Sequence, residues 1–225
     1  ALANWIGENT GASVGYLTEA ANTVGAQFVG AHPVNGGLNA GQMLSGGLKA
    51  ALLLNTEPVY DSAAGASAAA TLSGADMVIT LSPFKANMEF SDVLLPIAPF
   101  TETSGSFVNA EGRLQSFHAV VRPLGDARPA WKVLRVLANL LGVPGFDFET
   151  SQDVLARATN APAGTVTQLA AAQMSNAVRT VPVAATAAAG EPVVASIYQL
   201  DGLVRRSTSL QLTADARMAR EGVAA

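Results

Sequence analysis

Cysteine is absent from all 225 residues, so the chain can form no disulfide and can hold no thiolate-ligated iron–sulfur cluster. Histidine occurs only as His32 and His118, and a zinc or iron site would have to recruit both together with carboxylates from distant segments. Charge is scarce as well: 13% of the residues are Asp, Glu, Lys or Arg, and the formal balance is −4. With a pI near 5.1, the chain has no basic footprint for nucleic acid. No apolar run reaches the ~18–20 residues of a membrane-spanning helix, and the amino terminus lacks the basic region and apolar core of a signal peptide. No internal repeat is evident.

What the chain has is apolar substance: 49% hydrophobic residues and a mean hydropathy of +0.30. That is enough to bury a substantial core as one domain plus an appendage. Low charge with positive hydropathy fits partner-covered surface and fits an alanine-rich composition equally.

Apolar spacing predicts a helix from Gly11 to Val24 with Gly25 as its C′ residue, then a short strand at Gln27 to Val29. A Gly/Asn/Pro-rich loop leads to a helical turn through Met43 and Leu44, ended by Gly46-Gly47. Leu48 to Leu54 reads as a strand, Ser62 to Leu72 as a helix and Asp76 to Leu81 as a buried strand. Asp92 precedes the apolar run Val93 to Leu95, which suits a strand covered on both faces and stopped by Pro96. Alternating strands and helices predict an α/β fold with an open, doubly wound parallel sheet and right-handed crossovers. Its ligand crevice would gather Asn55 to Tyr60, Ser82 to Lys85 and Ala98 to Ser104.

Beyond the polar loop Thr101 to Gly105, Phe107 to Asn109 and Leu114 to Phe117 read as a hairpin joined at Glu111-Gly112. Asp126 is expected to cap a helix with Pro129 in its first turn, Trp131, Leu134, Leu137, Leu140 and Leu141 on one face, and Gly142 at its end. Thr150 and Asp153 form a capping-box pattern for a helix through Ala158. Ala161 to Pro192 reads as partly helical and then, from Val181, as a linker; Val193 to Tyr198 returns to strand character. The expected division is an α/β domain at 1–145, a helical segment and Ala/Pro-rich linker at 146–192, and a strand and tail at 193–225.

The run A/S-D-V-L-L-P followed by E-x-x-G-x-F-x-N-x-E-G-R-x-Q is carried here by Asp92, Pro96, Glu102, Gly105, Phe107, Asn109, Glu111, Gly112, Arg113 and Gln115. It resembles the molybdopterin-oxidoreductase superfamily, as does LKAALLLNTEP, where Asn55, Glu57 and Pro58 close a strand. Within that superfamily, EAANTVGAQFVGAHP at Glu19 to Pro33 and IYQLDGLVRRSTSLQLT at Ile197 to Thr213 are most similar to the large peripheral-arm subunit of NADH:quinone oxidoreductase, respiratory complex I. That resemblance implies a carboxy-terminal part of a longer subunit whose iron–sulfur clusters lie upstream. It implies no cofactor of this segment's own, other subunits of the hydrophilic arm as partners, no homo-oligomer, and a peripheral place on the cytoplasmic face of the bacterial inner membrane. A fragment of a molybdopterin enzyme of formate dehydrogenase or nitrate reductase type is the alternative.

By the same resemblance Asn55, Glu57 and Thr103 are candidates for a vestigial nucleotide site. Turn formation at a βα connection accounts for the first two as well. Glu102 and Glu111 invite a paired-carboxylate reading, although Glu111 beside Gly112 suits a turn and Arg113 can pair with either acid. Gly11-Ala12-Ser13-Val14-Gly15 matches a nucleophile elbow, with Asp92 and His118 following in the order that hydrolases use. The elbow requires a buried strand before it, which Ile6 to Thr10 is too polar to supply. Arg205-Arg206 is too short a basic patch to anchor to lipid and suits pairing with acids.

Overall fold

The computed structural model describes residues 2–15, 18, 20–170 and 196–220. Within them lie helices α1 (Leu2–Thr10), α2 (Thr23–Phe28) and α3 (Ala40–Met43), strand β1 (Ala50–Leu54), helices α4 (Pro58–Asp61) and α5 (Ser67–Ser73), and strands β2 (Met77–Ser82) and β3 (Val93–Pro96). There follow strands β4 (Gly105–Val108) and β5 (Leu114–Phe117), then helices α6 (Ala130–Leu140), α7 (Ser151–Thr159), α8 (Ile197–Leu200), α9 (Thr208–Gln211) and α10 (Ala214–Arg220). The chain divides into two compact units, one of Ala1–Gly37, Leu81–Phe84 and Leu95–Ala185, the other of Leu38–Thr80, Lys85–Leu94 and Thr186–Ala225.

The parallel sheet is ordered β1-β2-β3, and the second unit holds β1, β2 as far as Thr80 and the start of β3. The β1-to-β2 connection contains α4 and α5, as a parallel crossover demands. Leu72, Val78 and Phe90 form the core, with Leu44, Leu48, Ala51, Leu53, Val59, Ala69 and Ala75 packed against it. β1 alternates: Ala51 and Leu53 turn inward, while Leu52 and Leu54 are 47% and 45% exposed. Leu94 and Leu95 of β3 are only half-buried. Coverage of β3 on both faces, expected from its unbroken apolar run, is therefore not met, whereas β2 is the buried strand expected, with Val78, Thr80, Leu81 and Ser82 all buried. A doubly wound sheet needs a reversal of strand order, and β1-β2-β3 contains none.

Polar groups fix the β2–β3 connection. Thr80 is fully buried, its Oγ1 2.7 Å from Ser91 Oγ and 3.3 Å from Asn87 Nδ2. Asn87, itself at φ 58°, also donates to the carbonyl oxygen of Thr56 at 2.9 Å. The Asp92 carboxylate accepts from the amide of Val78 at 2.7 Å, so this residue joins β3 to β2 instead of facing a ligand.

In the first unit β4 and β5 pair antiparallel, with Gly105 opposite Phe117 and Val108 opposite Leu114. α7 begins with the capping box read from Thr150 and Asp153.

Several expectations are corrected. No helix spans Gly11 to Val24 among the described residues: 11–15 are irregular and α2 starts at Thr23, running through the strand expected at Gln27 to Val29. Gly25 is a buried helix residue pressed against the Asn22 side chain; close approach, not a C′ turn, is what needs glycine there. Asp126 does not cap α6. Arg128 bridges to Ile97 and Pro129 occupies the N-cap in a non-helical conformation, in keeping with the bias toward extended backbone that a proline imposes on the residue before it. Residues 161–170 are turn and bridge, not helix: Leu114 N donates to Thr167 O and Leu169 N to Gly112 O, which adds this segment to the hairpin. Ser196 accepts from the amide of Tyr198 and so starts helix α8 where a strand was expected. The remainder of that strand, and the linker Val181 to Pro192, lie outside the described residues.

Candidate functional site

The carboxyl end of β1 runs into a tightly organised loop. Asn55 is exposed at φ 49°, a left-handed turn that its short amide tolerates. Asp61 reaches back from α4, its Oδ2 accepting from the amide of Glu57 at 2.7 Å and from the Thr56 hydroxyl at 3.2 Å. Pro58 follows as the first helical residue, where its missing N–H costs nothing.

Glu57 is the charged centre of this loop. Its Oε1 lies 2.8 Å from Arg205 Nη2 and 2.9 Å from Arg206 Nη1, and its Oε2 accepts from Arg206 Nη2 at 3.0 Å. Arg205 also meets Asp61 Oδ1 at 3.4 Å and lies over the Tyr60 ring, 4.6 Å from its centre. The side chains of Arg205 and Glu57 are 11% and 12% exposed. Burial pushes the Glu57 carboxyl up, but the hydrogen bonds and positive charge of Arg206 and Arg205 outweigh it and hold the group below the usual carboxylate range. Sequence alone pairs these arginines with acids without identifying which; a separation of about 150 residues leaves no local signal for the partner.

The third candidate, Thr103, belongs to the other compact unit, where its hydroxyl donates to the Ser104 carbonyl oxygen at 3.1 Å. In that unit the spaced residues of the hairpin serve the backbone. Glu102 accepts from the amide of Leu124 at 3.0 Å. Asn109 Oδ1 accepts from the amides of Glu111 and Arg113 at 3.0 and 2.9 Å, and Gly112 turns at φ 80°. Gln168 closes the turn by donating to the Glu111 carbonyl oxygen at 2.6 Å. Arg113 is exposed, and no ion pair joins it to Glu102 or Glu111 among the described residues. The two acids are thus a backbone acceptor and a turn residue, with no shared site.

A mostly apolar cleft of about 330 Å³ opens beside the hairpin, walled by Phe117, Trp131, Val154 and Leu155, with Ser106, Ser116 and His118 among its polar groups. Ser13 lies in the irregular stretch behind α1, so the strand that a nucleophile elbow needs is missing, and the Asp92 carboxylate is engaged by Val78. Among the described residues no three His, Cys, Asp or Glu side chains cluster as a metal site would require, and no helix is long and apolar enough to cross a membrane.

The family model for molybdopterin oxidoreductase matches residues 1–140. The chain belongs to the molybdopterin oxidoreductase family. A Bacillus subtilis protein named "Probable oxidoreductase YjgC" is 40% identical over 70 residues, 31% of this chain and 7% of the relative. A Staphylococcus aureus protein named "Putative formate dehydrogenase SAB2186c" is 43% identical over 53 residues, 24% of this chain and 5% of the relative. The matched stretch of this molybdopterin oxidoreductase-family chain is therefore a small part of each of those relatives. The group that the family name implies is a pterin cofactor, and the β1 loop as folded does not fit the nucleotide end of one: both Glu57 oxygens are taken by guanidinium groups of the same chain.

Proposed function

We propose that this segment serves a molybdopterin-family oxidoreductase as a packing domain without a redox cofactor of its own. The observation that carries the reading is the closed state of the Glu57 loop, whose recognition capacity is spent on Arg205 and Arg206. In its finer form, the reading is the large peripheral-arm subunit of the proton-pumping NADH:quinone oxidoreductase. There the segment supports electron transfer through iron–sulfur clusters held upstream, contacts neighbouring hydrophilic-arm subunits, and lies at the cytoplasmic face of the membrane. In that role Asn55 and Glu57 mark a vestigial nucleotide site at the end of β1. The similarity of Ile197 to Thr213 to that subunit supports it.

A second reading, a segment of a formate dehydrogenase-type catalytic subunit, has better support from the comparisons, since the name of the Staphylococcus aureus relative points to it. It requires the arginines to leave Glu57 when a dinucleotide binds. Metal and pterin analysis of the intact subunit, purified with its partners, separates the two. Absence of molybdenum, tungsten and pterin alongside NADH:quinone activity is the expected result; a stoichiometric pterin with molybdenum or tungsten overturns the packing-domain reading in favour of the second.

A further inference from the structure

The cleft beside the hairpin lies wholly within the first unit, and the Glu57 loop has no part in it. On the hairpin, Ser106 and Ser116 stand opposite one another in register. The two-residue alternation of extended chain carries His118 to the same side, and all three line the cleft. From α7 it takes Val154, Leu155 and Ala158, which recur at helical spacing on one face. Phe28 of α2 and Trp131 of α6 add their rings. The volume, about 330 Å³, falls at the small end of the roughly 300–1,000 Å³ of ligand sites.

The walls are held by bonds of the chain itself. Val108 N donates to Asn22 Oδ1 at 2.9 Å, which ties α2 to β4, and the missing side chain of Gly25 leaves room for the Asn22 carboxamide. The capping box of Thr150 and Asp153 sets the start of α7. A cleft built in this way does not have to be ordered by what enters it.

Among the described residues, no Asp, Glu, Lys or Arg contributes to the lining. Asp153 and Arg157 of α7 are exposed and fall off its lining face, and Lys132 sits over the Trp131 ring at 5.4 Å. An ion entering the cleft would lose water without gaining a counter-charge. Polar groups gather instead on the hairpin face. Ser106 Oγ and Ser116 Oγ are 2.8 Å apart, a bond that uses one of their two hydroxyl protons and leaves the other, with spare lone pairs, for a ligand. The His118 ring makes no hydrogen bond among the described residues, so its nitrogens offer a further partner.

We propose that this cleft binds an uncharged aromatic molecule of one or two rings that carries a hydroxyl group. The rings lie among Phe28, Trp131, Val154 and Leu155, and the hydroxyl meets Ser106, Ser116 and His118. The site stands whether or not the intact subunit holds a pterin.

The test is fluorine NMR of the full chain labelled with 5-fluorotryptophan, titrated near neutral pH with 2-naphthol, naphthalene and 2-naphthoate. The chain has two tryptophans: Trp131 reports the cleft and Trp5 is the internal control. 2-Naphthol is expected to shift the Trp131 resonance saturably without moving Trp5, with the 2-naphthoate anion roughly tenfold weaker or more. Ala158→Phe, which fills the cleft from α7, should abolish the shift. The double variant Ser116→Ala/His118→Ala should weaken 2-naphthol by roughly fivefold and leave naphthalene unchanged. No saturable shift, equal affinity for the anion, or undiminished binding to a folded Ala158→Phe variant overturns the site. Should Ala158→Phe fail to fold, the double variant decides: loss of the preference for 2-naphthol over naphthalene supports the site, and an unchanged preference overturns it.

Discussion

Gly105 faces Phe117 across the hairpin so closely that a Cβ added to it would lie 2.5 Å from the ring's Cζ. The ring cannot simply swing aside, because it meets Phe107 edge-to-face at 5.5 Å between centres. Gly105→Ala should therefore destabilise the chain by about 1–3 kcal/mol, the usual cost of overpacking. Chemical denaturation checks it; a neutral result would mean that the ring has room to shift.

Asn109 holds the hairpin turn through two backbone amides. Asn109→Ala leaves both donors unmet and is expected to cost about 1–2 kcal/mol, whereas Asn109→Asp keeps the acceptor and should cost less. Hydrogen exchange at the Glu111 and Arg113 amides is the sharpest readout: faster in the alanine variant, close to the parent in the aspartate one.

The Glu57 cluster makes stability depend on pH. Its folded carboxyl titrates below the ordinary value of 4.5, so its contribution is present above that value and is lost as pH falls through the folded pKa. Glu57→Gln should lower stability near neutrality by about 1–3 kcal/mol, the worth of hydrogen bonds to charged groups. The gap between the two proteins should narrow steadily below about pH 4.5. A gap that stays constant into acid would mean that the carboxylate's charge contributes nothing.

Leu72 is 1% exposed and sits at the centre of the second unit's core. Leu72→Ala should cost about 2–5 kcal/mol, measured as a shift of the denaturation midpoint at unchanged slope.

Local chemistry made part of this molecule readable in advance. Thr150 and Asp153 announce α7 because a capping box lies within four residues. Glu111-Gly112 announces the hairpin because the turn itself demands a left-handed glycine. β1, β2 and β3 follow from apolar runs with clear stops. Gly25 misled because a glycine needed for close packing against Asn22 looks the same in sequence as one that ends a helix. Asp126 misled because an acid before Pro129 resembles a cap, while the bridge between Arg128 and Ile97 holds that stretch extended. At the candidate site, Asn55 and Glu57 could be singled out, yet the state of Glu57 is decided by Arg205 and Arg206, and no spacing rule links partners so far apart along the chain.

β1 ends the sheet, with no strand beyond it among the described residues, and Leu52 and Leu54 stand exposed on one of its faces. An open row of backbone donors and acceptors beside exposed leucines is a template for a neighbouring molecule. At the concentrations used for scattering or crystallisation, the polypeptide made by itself will clump through this row. A single Leu52→Lys change is the lightest remedy, since one charge on an edge strand is enough to discourage pairing between copies.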